Sequence, residues 1–93
     1  MPNMNQYFLP AENVNDEKAT IVKLFFNSGD KVKRGDLIYS FETTKALIDV
    51  ETEFDGYIQY LVFEAEEVDI GSLVCEISKT KKKILIKKKN QVT

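Results

Sequence analysis

Between Ala19 and Ser78 the chain repeats itself, and that repeat limits its possible folds more than any other feature. Ile21-Val22-Lys23-Leu24-Phe25-Phe26 is echoed by Ile58-Gln59-Tyr60-Leu61-Val62-Phe63. Val32, Gly35, Leu37 and Phe41 then share the mutual spacing of Val68, Gly71, Leu73 and Ile77, with the two copies differing in length by one residue. The apolar segments are short, rich in Val, Ile, Phe and Tyr, and divided by Gly, Asp, Asn and Ser clusters, which is the pattern of strands. No long amphipathic helix can be read from them. Two strand-turn-strand units with one apolar face each bury both faces by packing together. The expectation is an all-β fold, a flattened barrel or sandwich of two pseudo-two-fold-related antiparallel sheets. Its expected core is Ile21, Leu24, Phe26, Val32, Ile38, Phe41, Ile48, Val50, Ile58, Leu61, Val68, Leu73, Cys75 and Ile77. The first copy turns through Asn27-Ser28-Gly29-Asp30, whereas the second uses Glu64-Ala65-Glu66-Glu67 and has lost its glycine.

Residues 37–52, between the copies, read as a hairpin whose register follows from parity. Directly opposed residues on antiparallel strands face the same way, so Phe41 needs an even-numbered apolar partner. Pairing Phe41 with Ile48 and Tyr39 with Val50 leaves Glu42, Asp49 and Glu51 on the other face and makes Thr44-Lys45 the turn. A shift by two residues is also allowed; a shift by one sends every side chain to the wrong face. Ile38 breaks the alternation and predicts a bulge before Phe41. The tip, Thr43-Thr44-Lys45-Ala46, lacks the Asn-Gly, Asp-Gly or Gly-X that two-residue loops favour, as happens where function dictates a residue.

Composition removes several kinds of chemistry. The 93 residues suffice for one small domain and contain no histidine, no tryptophan and one cysteine. Ser-His-Asp, Cys-His and ordinary zinc sites cannot be built from them, nor an internal disulfide. No metal site is expected, because the acids show no calcium-loop spacing. Cys75, at the repeat position of Tyr39, reads as a small buried apolar residue. Glu66 and Glu67 read as a solvated turn. No apolar run approaches the roughly 20 residues of a membrane-spanning helix, and no secretory leader is read at the N-terminus, which fits a cytoplasmic location. Residues 79–93 hold seven lysines and no acid, whereas residues 1–78 hold six basic residues against 15 acids, so the body carries −9 and the tail +7. An acidic body argues against specific nucleic-acid binding. The basic tail is expected to be disordered, with peripheral contact to an anionic surface or acidic partner open to it.

Gly29-Asp30-Lys31-Val32-Lys33-Arg34-Gly35-Asp36 followed by Glu42-Thr43-Thr44-Lys45-Ala46 resembles the run into the modified lysine of the lipoyl/biotinyl carrier domain family. Within that family the similarity is to lipoyl domains of 2-oxo acid dehydrogenase acyltransferase subunits. Phe8-Leu9-Pro10 looks like the family's opening strand, Thr20-Ile21-Val22-Lys23 like the entry to its first long strand, and Glu53-Phe54-Asp55-Gly56 and Val68-Asp69-Ile70-Gly71 like later turns. The resemblance spans about residues 7–78, which leaves residues 1–6 as an N-terminal arm and 79–93 as the tail. It implies a non-catalytic swinging-arm carrier with lipoate in amide linkage on Lys45, and Glu42, Thr43, Thr44, Ala46 and Asp36 as residues for ligase or partner recognition. It also implies the partners: a lipoyl ligase or transferase, a 2-oxo acid decarboxylase, an acyltransferase and a dihydrolipoyl dehydrogenase. Biotin carriers share the fold but usually flank their lysine with methionines, so biotin is the lesser alternative. Thr44 stands where lipoyl domains usually have aspartate, and Ala19 where glycine is common. An unmodified lipoyl-like binding or assembly module is the other alternative.

Overall fold

The computed structural model describes residues 4–11 and 17–80. Eight strands form from the short apolar segments: β1 Met4–Phe8, β2 Lys18–Leu24, β3 Lys31–Val32, β4 Leu37–Glu42, β5 Leu47–Glu51, β6 Gly56–Tyr60, β7 Glu67–Asp69 and β8 Leu73–Ser78. They make two four-stranded sheets, ordered β5-β4-β2-β7 and β1-β8-β6-β3, in which every pairing is antiparallel. Position for position, β5 corresponds to β1, β4 to β8, β2 to β6 and β7 to β3. The expected all-β sandwich of two related sheets is what the chain forms. Each half lends one short strand to the other's sheet, since β3 pairs with β6 and β7 with β2.

The repeat is visible bond by bond. Gly29 N–H donates to Ile58 O and Ala65 N–H to Ile21 O, both at 2.7 Å. Ile58 N–H donates to Asp30 O at 2.9 Å, and Ile21 N–H to Glu66 O at 2.8 Å. Asp30 Oδ2 accepts from Asn27 N–H at 2.7 Å, just as Glu66 Oε1 accepts from Phe63 N–H at 2.9 Å. The second turn therefore reproduces the first without its glycine. Ala65 takes a left-handed φ of 72° where Gly29 has 98°.

The hairpin register is the expected one, with Tyr39 opposite Val50 and Phe41 opposite Ile48, and a register shift falls between Leu37 and Tyr39 at Ile38. The same irregularity recurs in β8, where Tyr7 opposes Cys75 and Phe8 opposes Leu73, so Val74 is the extra residue. A bulge turns two successive side chains inward, and accordingly both Val74 and Cys75 are buried.

Of the expected core, Ile21, Val32, Ile38, Phe41, Ile58, Cys75 and Ile77 are buried, and Leu24, Phe26, Ile48, Val50 and Val68 pack against them. Leu73 is half-buried. Leu61 is a correction: it is 51% exposed, and Val62 takes the interior place. The cause lies in β2, where Ile21 opposes Phe41 and Lys23 opposes Ser40, leaving Val22 as a bulge, whereas β6 pairs with β8 without interruption from Tyr57 to Tyr60. Val22 is thus the single residue by which the copies differ. Beyond it Leu24 corresponds to Tyr60 and Phe25 to Leu61. Leu9, Ala19, Tyr39, Val62 and Val74 complete the core.

At Gly56 a Cβ would collide with the carbonyl oxygen of Ser78 and come within 2.8 Å of Ile77 Cγ2, so only glycine lets β6 lie this close to β8. The first strand starts at Met4, opposite Ser78, and so takes in residues 4–6 of the expected arm and ends at Phe8, the first residue of the Phe8-Leu9-Pro10 segment. Of the tail expected to be disordered, 79–93, residues 81–93 lie outside the described residues. No helix among the described residues is long and apolar enough to cross a membrane.

Candidate functional site

The last pair of the β4–β5 ladder is Glu42 with Leu47, and Thr43-Thr44-Lys45-Ala46 closes the end. Thr43 N–H donates to Ala46 O at 2.9 Å. The return bond to the Thr43 side is made by its side chain: Thr43 Oγ1 accepts from Ala46 N–H and from Lys45 N–H, both at 3.2 Å. Among the described residues Ala65 alone of the non-glycines has positive φ, so no tip residue adopts the left-handed backbone of a type I′ turn. A hydroxyl-closed turn has no need of Asn-Gly, which accounts for the tip composition.

Thr43 is 8% exposed, whereas Glu42, Thr44, Lys45 and Ala46 are all exposed. The Lys45 ammonium makes no ion pair or side-chain hydrogen bond among the described residues, where the one salt bridge is Lys18 Nζ to Asp69 Oδ1 at 3.2 Å. Lys45 is therefore an exposed primary amine on a short loop, anchored by a ladder whose Ile38, Tyr39, Phe41, Ile48 and Val50 pack in or against the core, while Leu47 beside the tip is exposed. That arrangement fits an acyl group in amide linkage, because one nitrogen must be reachable and nothing must be displaced to reach it.

Strand pairing brings residues distant in sequence beside the tip. Thr20 lies opposite Glu42 on one side and opposite Glu67 on the other, so Leu47, Glu42, Thr20 and Glu67 form a row across four strands. A shallow recess of about 170 Å³ opens there, lined by Lys18, Ala19, Thr20, Glu42, Thr43, Thr44 and Glu67. Glu67 is a correction: expected in a solvated turn with Glu66, it is the first residue of β7, which crosses from the second half to pair with β2. The only trace of it was the repeat spacing that makes Val68 the mate of Val32. The Asp69 carboxylate, hydrogen-bonded to Lys18, holds that ammonium above its ordinary pKa.

Asp36 is not brought to the tip. It precedes β4 at the opposite end of the hairpin, about 20 Å away for a six-residue strand. There its carboxylate Oδ2 accepts from Lys33 N–H at 2.8 Å, and its carbonyl accepts from Thr52 N–H at 2.9 Å. A wider open recess of about 540 Å³ beside it is lined by Arg34, Gly35, Glu51, Thr52, Glu53 and Phe54. Cys75 is fully buried, and burial pushes its thiol up to about 12, so it is protonated at neutral pH. Glu66 is engaged in its turn and Glu67 is exposed. No three His, Cys, Asp or Glu side chains converge on a metal position among the described residues.

A sandwich of two half-repeats that holds one lysine clear of the surface at a hairpin tip defines a carrier-type domain. The match to known proteins agrees with that class: the chain belongs to the biotin/lipoyl family, described as biotin-requiring enzyme, whose profile covers residues 9–77. It is 34% identical over 79 residues to the mitochondrial dihydrolipoyllysine-residue acetyltransferase component of the pyruvate dehydrogenase complex of Caenorhabditis elegans, covering 83% of this chain and 16% of that protein. The corresponding component of Rhizobium meliloti (strain 1021) is 33% identical over 72 residues, 75% of this chain and 16% of the relative. The pyruvate dehydrogenase E1 component subunit beta of the same organism is 38% identical over 60 residues, 64% of this chain and 13% of the relative. The chain thus spans less than a fifth of the length of these curated relatives.

Proposed function

We propose that Lys45 carries lipoate in amide linkage and that the domain shuttles acyl groups and electrons within a 2-oxo acid dehydrogenase-type system. The observation that carries this reading is the exposed Lys45 ammonium, without an ion pair among the described residues, at the tip of the β4–β5 hairpin. Support comes from relatives whose names specify a dihydrolipoyllysine residue. When attached, the dithiolane supplies the acyl- and electron-accepting chemistry. The chain's own part is to present and hold. Lys45 Nζ, deprotonated, attacks an activated lipoyl carboxyl delivered by a ligase or transferase, and the activating group leaves as the amide forms. The ammonium charge is lost, taking residues 1–78 from −9 to −10. Glu42, Thr44 and Ala46, exposed around the amine, are the surface that ligase and partners read. The partners in this reading are a 2-oxo acid decarboxylase, an acyltransferase and a dihydrolipoyl dehydrogenase, which perform the catalysis.

Incubation of the chain with a lipoate ligase, ATP and lipoate, followed by intact mass and peptide mapping, tests the assignment. One lipoyl increment on Lys45 is expected, and none on Lys45→Arg or Lys45→Ala. Both variants should keep wild-type stability to within about 0.5 kcal/mol in urea, because the side chain is exposed and unpaired. Modification at another lysine, or acyl transfer that survives Lys45→Arg, overturns it. A biotinyl increment after co-expression with a biotin ligase instead redirects the carrier to carboxyl transfer.

A further inference from the structure

The tip contains a residue whose position contradicts the role its sequence neighbours suggest. Thr43 lies within two residues of the attachment lysine, where an exposed side chain would be read by a ligase, yet it is 8% exposed and directed into the turn. A threonine hydroxyl has two acceptor lone pairs and one O–H. Here two backbone N–H groups, those of Lys45 and Ala46, each lie 3.2 Å from Oγ1, and the O–H is directed at Ala46 O at 3.5 Å. With Thr43 N–H bonded to Ala46 O at 2.9 Å, these contacts fix the backbone on both sides of Lys45. Nothing else among the described residues hydrogen-bonds Lys45 N–H.

We infer that Thr43 is a positioning residue: its hydroxyl, by accepting the amides of Lys45 and Ala46, sets the tip conformation in which the Lys45 amine is offered to the modifying enzyme. The inference deepens the carrier reading and rests on it. It assigns recognition to the exposed Glu42, Thr44 and Ala46 and withholds it from Thr43. The chemistry demands a hydroxyl at this position and tolerates loss of the methyl group. Serine should therefore serve, whereas valine, of nearly the same shape, should not.

The test uses the full chain as wild type, Thr43→Ser and Thr43→Val. Three quantities are read: amide hydrogen exchange at Lys45 and Ala46, the urea midpoint, and the kcat and KM of lipoylation by a lipoate ligase. Thr43→Val is expected to exchange both amides at least about tenfold faster than wild type. It should also lower ligase kcat/KM by about tenfold, with the urea midpoint and the exchange of β4 amides such as Phe41 nearly unchanged. Thr43→Ser should restore both exchange and kcat/KM. If valine leaves the two amides as protected as in wild type, the hydroxyl does not set the tip and the inference fails. If the amides loosen while modification proceeds at the wild-type rate, tip order does not govern presentation and the inference fails equally. Lack of modification of wild-type Lys45 itself sinks the carrier reading instead; the exchange comparison then still decides whether Thr43 organises the turn.

Discussion

Ala65 sits in a left-handed backbone conformation at φ 72°, which its repeat mate Gly29 adopts at φ 98° without a Cβ to crowd the following carbonyl. For an L-residue that conformation costs roughly 1–2 kcal/mol, part of which glycine would return as unfolded-state entropy. Ala65→Gly should therefore stabilise the domain by about 0.5–1 kcal/mol, read as a higher urea midpoint at unchanged m-value, and a lower midpoint would refute the strain argument. The missing glycine was legible as a departure from the repeat, but its consequence was not, because sequence does not say whether a turn that loses glycine changes shape or keeps it under strain. The oddity of the tip was legible in Thr43-Thr44-Lys45-Ala46, whereas Lys45 stands out only through its resemblance to the family's attachment lysine. The hydroxyl bonds of Thr43 are not legible in the sequence, since they exist only once Lys45 and Ala46 have folded over it. Asp36, which the resemblance puts among the residues for ligase or partner recognition, lies a strand's length from the tip.

At the scale of strands, parity narrows the β4–β5 register to answers two residues apart, of which the structure takes the pairing of Phe41 with Ile48, and the broken alternation at Ile38 marks the bulge. Val74 stands to β8 as Ile38 stands to β4, and Leu61 loses its expected interior place because the copies go out of step at Val22. Val22 is the extra residue of a bulge, so the side chains on either side of it already have the facing they would have without it. Deleting Val22 should give β2 the uninterrupted ladder of β6 and lower stability by no more than about 1 kcal/mol. Deleting Gln59 from the unbulged β6 should turn Tyr60 and its successors to the wrong face and cost at least about 3 kcal/mol or abolish folding. Paired urea titrations settle the comparison, and equal losses would show that the bulge is required.

Across the whole molecule the pseudo-symmetry pairs the hairpin tip with the place where the chain enters and leaves the sandwich. Glu42 and Leu47 correspond to Ser78 and Met4, which are likewise directly opposed. A four-residue connector like the one at the tip should then join Ser78 to Met4, with the chain reopened between Ala11 and Glu17. Such a permutant is expected to unfold cooperatively and to be modified on Lys45 within about twofold of the wild-type rate, as far-UV circular dichroism and intact mass would show. Failure to fold would mean that the correspondence is one of outline only. The two places lie at opposite ends of the body: Ser78 pairs with Tyr57, next to Gly56 and its partner Val32, close to the turn that begins β4, whereas Lys45 lies past the far end of that strand. Anything joined to the domain through Met4 or Ser78 therefore pulls from the side away from Lys45. Tilting the body about such a tether swings the amine through an arc whose radius adds about 20 Å of strand to the reach of the side chain, so the sandwich acts as a stiff boom with the lysine as its hook.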